Sequence, residues 1–161
     1  MKLFKRSDRR GERGQAVIEF AFILPLFLIV LFLVVEFGVG FSRWIVITNS
    51  TREAARFGAV QNGDAASIES GIIDRAVVTS NGLLAAGDVT VNYIDGPDIN
   101  ADAGDRGDSV VVATTFDYGL ITPIRAFLAG FDRDSITMSA CADMRLELGI
   151  DGASNDGVTQ C

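Results

Sequence analysis

The sequence predicts an α+β fold: a long N-terminal transmembrane and stalk helix, a second helix, and a small three-stranded antiparallel sheet. Three observations predict it. Residues 20–35 contain no charged side chain. Behind that run Ile68, Ile72, Ile73, Ala76 and Val77 repeat at helical spacing. Past residue 88 the apolar period changes to two over three separate stretches.

The first element is the stretch 15–44, QAVIEFAFILPLFLIVLFLVVEFGVGFSRW, in which only Glu36 follows the uncharged run before Arg43. As a helix, residues 20–40 would extend roughly 30 Å, the thickness of a bilayer's hydrocarbon core. The stretch is apolar all round, which leaves no face for water. A helix buried in a soluble core is the competing reading, but it needs a large surrounding domain that the remaining chain is too short and too polar to supply. A secretory signal has a shorter apolar core of about 7–15 residues; Gly38-Val39-Gly40 could imitate its cleavage site, yet this run is longer. Pro25 removes one rung of the helix ladder and should kink the rod, a change that membranes tolerate.

Charge sets the expected orientation. Lys2, Lys5, Arg6, Arg9, Arg10 and Arg13 precede the span, offset by Asp8 and Glu12, and the next basic residue is Arg43. The positive-inside bias places the N-terminus in the cytoplasm and the body across the inner (cytoplasmic) membrane, with Trp44 among the outer headgroups. The expected organisation is a disordered cytoplasmic leader at 1–14, a span at 15–44, a helical stalk at 45–62, an extracytoplasmic α+β domain at 63–150 and a flexible tail at 151–161. Of the 161 residues about a hundred remain for the domain, near the lower limit for independent folding.

The formal net charge of −7 combines a basic leader with an acidic body. An acidic body argues against nucleic acid, which wants a basic surface. There is no histidine, metal cluster, nucleophile elbow or phosphate loop, so neither an enzyme nor a cofactor nor a small-molecule substrate is expected. The two cysteines, Cys141 and Cys161, both fall beyond the span, where disulfides persist. Pairing would close a loop of about 20 residues worth about 3 kcal/mol in the chain-entropy model; two free thiols are the alternative.

In the outer part, Asn49, Ser50, Thr51, Arg52, Glu53 and Arg56 read as the polar face of the stalk, against apolar Val46, Ala54, Ala55 and Phe57. Gly58 and the QNGD turn should end it. Asp64 is the expected cap of the second helix and Asn81-Gly82 its close. Val89, Val91 and Tyr93 then alternate, followed by Val110, Val112, Thr114 and Phe116, and by Ile136, Met138, Ala140 and Ala142. These predict three antiparallel strands with one face under the helices. The apolar stretch 120–131 is expected to pack into the core, contact with a neighbour or the membrane surface being the alternatives. In the aspartate-rich 95–108 loop, residues 98–102 match the opening of a calcium loop. Gly104 nonetheless falls one place late, and Ser109 stands where a bidentate glutamate is required. A solvated hairpin loop is favoured.

The residues flanking the span carry the functional signal. Gly14 is followed by Gln15, Ala16, Val17, Ile18 and Glu19, so a carboxylate lies fifth after a glycine at the helix border. A carboxylate at that border is costly without a cation or donor nearby. The bland alternative is that Glu19 marks the helix start, favoured by its dipole. At the outer border Glu36 must reach water or pair with a partner helix, and Gly38 and Gly40 would permit close helix approach.

RGQAVIEFAFILP, VVEFGVGF and NSTREAARFGA, in that order, resemble the TadE-like family of tight-adherence pilus assembly proteins, which are regarded as pseudopilins. The resemblance runs from Arg13 to about Ala59, and the glycine-to-glutamate spacing is also similar to the processing site of type IV prepilins. It implies a pilin-like fold, cleavage between Gly14 and Gln15 by a membrane prepilin peptidase, and other pilus or pseudopilin subunits as partners. It tilts Glu36 towards a partner contact, since EFG belongs to the family's pattern. Gln15 departs from the phenylalanine or methionine usual in type IV pilins, which puts N-methylation in doubt, whereas TadE-like leaders commonly read GQ here. A membrane-anchored binding or scaffold protein that is never cleaved is the alternative function.

Overall fold

The computed structural model describes residues 9–96, 103–123, 135–153 and 161. Its first element, α1 (Arg9–Ala59), is one helix of 51 residues that passes through Pro25. Disorder is expected over the whole leader, but residues 9–14 are helical and continue the rod. Propagating an existing helix adds one hydrogen bond per residue fixed, without the cost of a nucleus.

The inner part of α1 is uncovered. Val17, Phe20, Ile23, Leu26 and Val34 are all exposed, and the most hydrophobic 18-residue window, with mean hydropathy 2.9, buries nothing against the domain. Among the described residues this is the one helix long and apolar enough to cross a membrane. A soluble-core helix would be covered by its own chain, and this one is not.

Beyond residue 35 the same helix becomes the spine of a domain. Ile47, Ser50, Thr51, Ala54, Ala55, Gly58 and Ala59 form a buried face. Ser50 and Thr51, expected on the polar face, are instead fully enclosed. Their hydroxyls donate back to helix carbonyls, Ser50 to Val46 at 2.9 Å and Thr51 to Ile47 at 2.8 Å, and this removes the cost of burying them. Gly58, expected only as a helix stop, also sits at the crossing with the second helix. A Cβ there would come within 2.5 Å of Ile72 Cδ1, in a side chain with no room to yield.

The second helix, α2 (Ala65–Thr79), starts where Asp64 accepts from Ser67 N at 3.1 Å. It ends at Asn81 and Gly82, both with positive φ. An exposed ion pair, Arg75 to Glu53 at 2.6 Å, ties it to α1. The sheet is β2 (Val89–Ile94), β3 (Ser109–Gly119) and β4 (Ser135–Arg145), antiparallel in that order. The register places Val91, Val112 and Ala142 side by side, and likewise Tyr118 and Ile136. Alternation puts this set on the face that packs on the helices, as Thr51 Oγ1 and Thr114 Oγ1 show at 2.7 Å. The fold is α+β, as the change of period predicts.

One small element was not legible in advance. β1 (Gly63–Asp64) pairs in parallel with β5 (Ile150–Asp151), so Asp151, expected in a flexible tail, is paired with Asp64. Cys161 is joined to Cys141 on the outer face of β4 by a disulfide, with Cα atoms 5.8 Å apart. In the 95–108 loop Asp108 is buried rather than solvated. Its carboxylate accepts from the N–H groups of Gly96, Gly104 and Asp105 at 2.8–2.9 Å. The calcium-like stretch 98–102 lies outside the described residues, as does 124–131 of the apolar stretch.

Candidate functional site

Two carboxylates of α1, Glu19 and Glu36, are treated differently by the structure. At the inner end Gly14 is helical and open, with nothing within 4 Å of a Cβ built on it. Gln15 and Glu19 are exposed, and Gln15 Nε2 donates to Glu19 Oε1 at 3.4 Å across one helical turn. The α-nitrogen of Gln15 lies on the same turn, so an ammonium freed there would fall within reach of the same carboxylate. A glycine inside a helix costs up to about 1 kcal/mol relative to alanine, so this turn opens more readily than its neighbours.

Farther along the helix Glu36 is buried, and its carboxylate accepts from its own chain. Tyr118 donates its hydroxyl to Oε1 at 2.6 Å, the Ile121 N–H donates to Oε1 at 2.9 Å, and the Thr122 N–H to Oε2 at 2.9 Å. Both sequence-level options, water or a partner helix, put the partner outside the chain. The structure instead supplies it from the end of β3, 82 to 86 residues away. The physical reason is that a bent chain leaving a strand has N–H groups with no ladder partner. A carboxylate satisfies two of them at once, and charge-assisted bonds of this kind are the strong ones.

Around this clip, the Arg43 guanidinium lies over the Tyr118 ring, 5.1 Å from its centroid. Burial, then the Glu36 carboxylate, push the Tyr118 phenol up to about 12, with Arg43 opposing; the hydroxyl therefore stays a donor throughout the physiological range. Gly40 faces the same cluster, its Cβ position 3.4 Å from Met138 Cε and 3.5 Å from Tyr118 Cε1. It is therefore covered by its own sheet and is not open to another helix, a correction to the packing role expected from its small size. Gly38 points the other way, exposed, with nothing within 4 Å.

Gly14, Gln15 and Glu19 thus form one exposed cluster, and Glu36 with Gly40 a second, separate one. From Gly14 to Glu36 the helix rises roughly 33 Å, close to the bilayer's hydrocarbon thickness. Tyr118, Ile121 and Thr122 went unrecognised as site residues. A lone acid at a membrane border signals that donors must exist, but not where in the chain they lie. Among the described residues no group of three or more His, Cys, Asp or Glu side chains could hold a metal ion.

Residues 14–56 match the sequence model of a family described as TadE-like protein. The matched segment takes in Gly14, Gln15, Glu19, Glu36, Gly38 and Gly40 and leaves out Tyr118 and the rest of the sheet. No curated protein and no solved structure matches the chain.

Proposed function

We propose, starting from the match of residues 14–56 to the TadE-like family, that this chain is a pseudopilin-like subunit or assembly factor of a tight-adherence pilus. In this reading α1 anchors it as a single-pass protein, with residues 1–14 in the cytoplasm and the α+β domain beyond the inner membrane. A prepilin peptidase cuts between Gly14 and Gln15. The observation that carries the reading is the exposed Gly14-Gln15 turn, one turn ahead of Glu19, at the mouth of an apolar helix that its own domain leaves uncovered.

The mechanism is mechanical rather than chemical. The span holds the subunit in the bilayer until the basic leader is removed. Cleavage replaces a run of cations with a single ammonium beside Glu19. That pair lowers the cost of bringing the rod's inner end against a neighbouring subunit and fixes its register. Supplied by the same chain or by the neighbour, the ammonium is the only cation the carboxylate needs.

Intact mass and N-terminal sequencing of the protein from its native membrane, with and without the peptidase, test the reading. The expected mature chain begins at Gln15, and Gly14→Ala accumulates the full-length form. A Met1 start in cells that make the peptidase, with Gly14→Ala unchanged in size and function, supports instead a never-cleaved anchored scaffold.

A further inference from the structure

The end of the sheet nearest the span shows apolar side chains where a water-facing domain would show polar ones. Glu36 fixes Ile121 and Thr122 at the height of helix residue 36. Around that height the exposed large apolar side chains are Phe37 at 74%, Ile121 at 58% and Ile136 at 51%, while Asp117 and Thr137 pair with each other on the opposite face of the sheet. Phe41 and Trp44 follow along the helix, their rings in a contiguous row with Phe37 at centroid spacings of 6.0 and 5.8 Å. Between the helix and β4 runs an open groove of about 420 Å3, lined among others by Leu33, Phe37, Phe41, Leu120, Ile136 and Met138.

We infer that this groove holds acyl chains of phospholipid from the leaflet on the domain's side, so that the domain rests in the bilayer interface instead of standing clear on a stalk. Continuity argues for lipid over any other occupant. Leu33 belongs to the uncovered apolar surface of α1, and among the described residues no exposed polar side chain interrupts that helix surface from Phe20 to the groove. This rests on the reading that α1 spans the membrane, and depth along the helix then supports it. Counted from Glu19 at the inner border, about 30 Å of hydrocarbon reaches roughly residue 39. The level of Glu36 then lies inside the apolar boundary. Irregular backbone at that depth is tolerated only where its polar groups are satisfied, and the Ile121 and Thr122 N–H groups are satisfied by Glu36. The same bonds lower the cost of placing a carboxylate there. Trp44 then falls in the headgroup region, where tryptophan is enriched.

The test uses the full chain in nanodiscs of phosphatidylethanolamine and phosphatidylglycerol, with benzoylphenylalanine in place of Ile136 and, separately, of Ser139 on the opposite, exposed face of the same strand. Irradiation is expected to give phospholipid adducts at 136 and none at 139. A cross-link from 136 to a second copy of the chain, or no adduct at all, overturns the inference. Ile121→Cys carrying a nitroxide is an independent arm, because both native cysteines are engaged in the disulfide. Its relaxation should respond to oxygen more than to a water-soluble nickel complex, and the opposite order overturns the inference. Alkaline extraction of the same chain from vesicles separates the two readings. Release into the wash defeats the membrane anchor itself, whereas retention without a lipid adduct at 136 defeats only the lipid-filled groove.

Discussion

The two halves of α1 are one uninterrupted helix built for two different surroundings. From Phe20 to Val35 its side chains are apolar, mostly bulky and, apart from half-buried Phe32, exposed on every side. From Glu36 on, one face turns mostly small or hydroxylated, through Gly40, Ser50, Thr51, Ala54, Ala55 and Gly58 with Ile47 as its one large side chain, and that face is buried by the domain. Apolar residues do not stop at the boundary: Phe37, Phe41, Trp44 and Ile45 continue them on the uncovered side. Hydrophobicity therefore does not mark where the sheet begins to cover the helix. Residue size does, because a sheet packs closely only where the helix surface is thin.

Matched truncations on the two halves break or sharpen this contrast most strongly. Ile47 has no exposed surface, so Ile47→Ala is expected to cost the domain about 2–5 kcal/mol through lost burial and a residual cavity. Ile23 is 62% exposed, and Ile23→Ala should change domain stability by no more than about 0.5 kcal/mol. Denaturant unfolding of the detergent-solubilised chain, followed by near-ultraviolet circular dichroism, compares them. Equal losses would mean that the inner half is packed on the domain after all.

The second effect lies at the joint. Glu36→Leu leaves the Tyr118 hydroxyl and the Ile121 and Thr122 N–H groups without their acceptor, at a cost on the order of 1–3 kcal/mol for each that stays buried. Tyr118→Phe removes one donor and spares the two backbone bonds, so its cost should be about 1 kcal/mol. The order of the two losses, measured by the same unfolding experiment, is the check. A Glu36→Leu protein as stable as the parent would show that the joint is not held by this carboxylate.

The joint also marks the limit of what the sequence revealed. Strands, second helix and caps were legible because each rests on local chemistry: Asp64 caps its own helix, Asn81-Gly82 turns back, and alternation declares the buried face of β3. The proximity of Gln15 and Glu19 was legible for the same reason, being a spacing of about one turn. Glu36 was legible as a problem but not as a solution, since its donors lie more than eighty residues on. Ser50 and Thr51 read as solvent-facing because a hydroxyl satisfied by its own helix looks, in sequence, like one that needs water. Asp108 misled similarly. It stands in a run of acidic loop residues, and only the folded loop brings three N–H groups around it. The pairing of Gly63–Asp64 with Ile150–Asp151 joins two-residue strands, too short to show any period.

The smallest effect lies where the outer half of α1 meets α2 at the surface. The hydrogen bond from Arg75 holds the Glu53 carboxyl below its ordinary value of 4.5, assisted by the charges of Arg75 and Arg56. A carboxyl lowered on folding contributes stability at pH values above its unfolded pKa and loses it as the pH falls through the folded value. Both side chains are well exposed, so the contribution is slight and screened by salt. The stability difference between the parent chain and Arg75→Gln should therefore be small at neutral pH and shrink towards zero on acidification below 4.5. Raising the salt at pH 7 should shrink it too. Other carboxylates titrate in both proteins and cancel in the difference. A gap that persists unchanged into acid would mean that Arg75 stabilises the helix crossing by packing its stem, as Ile47 does, rather than by its charge.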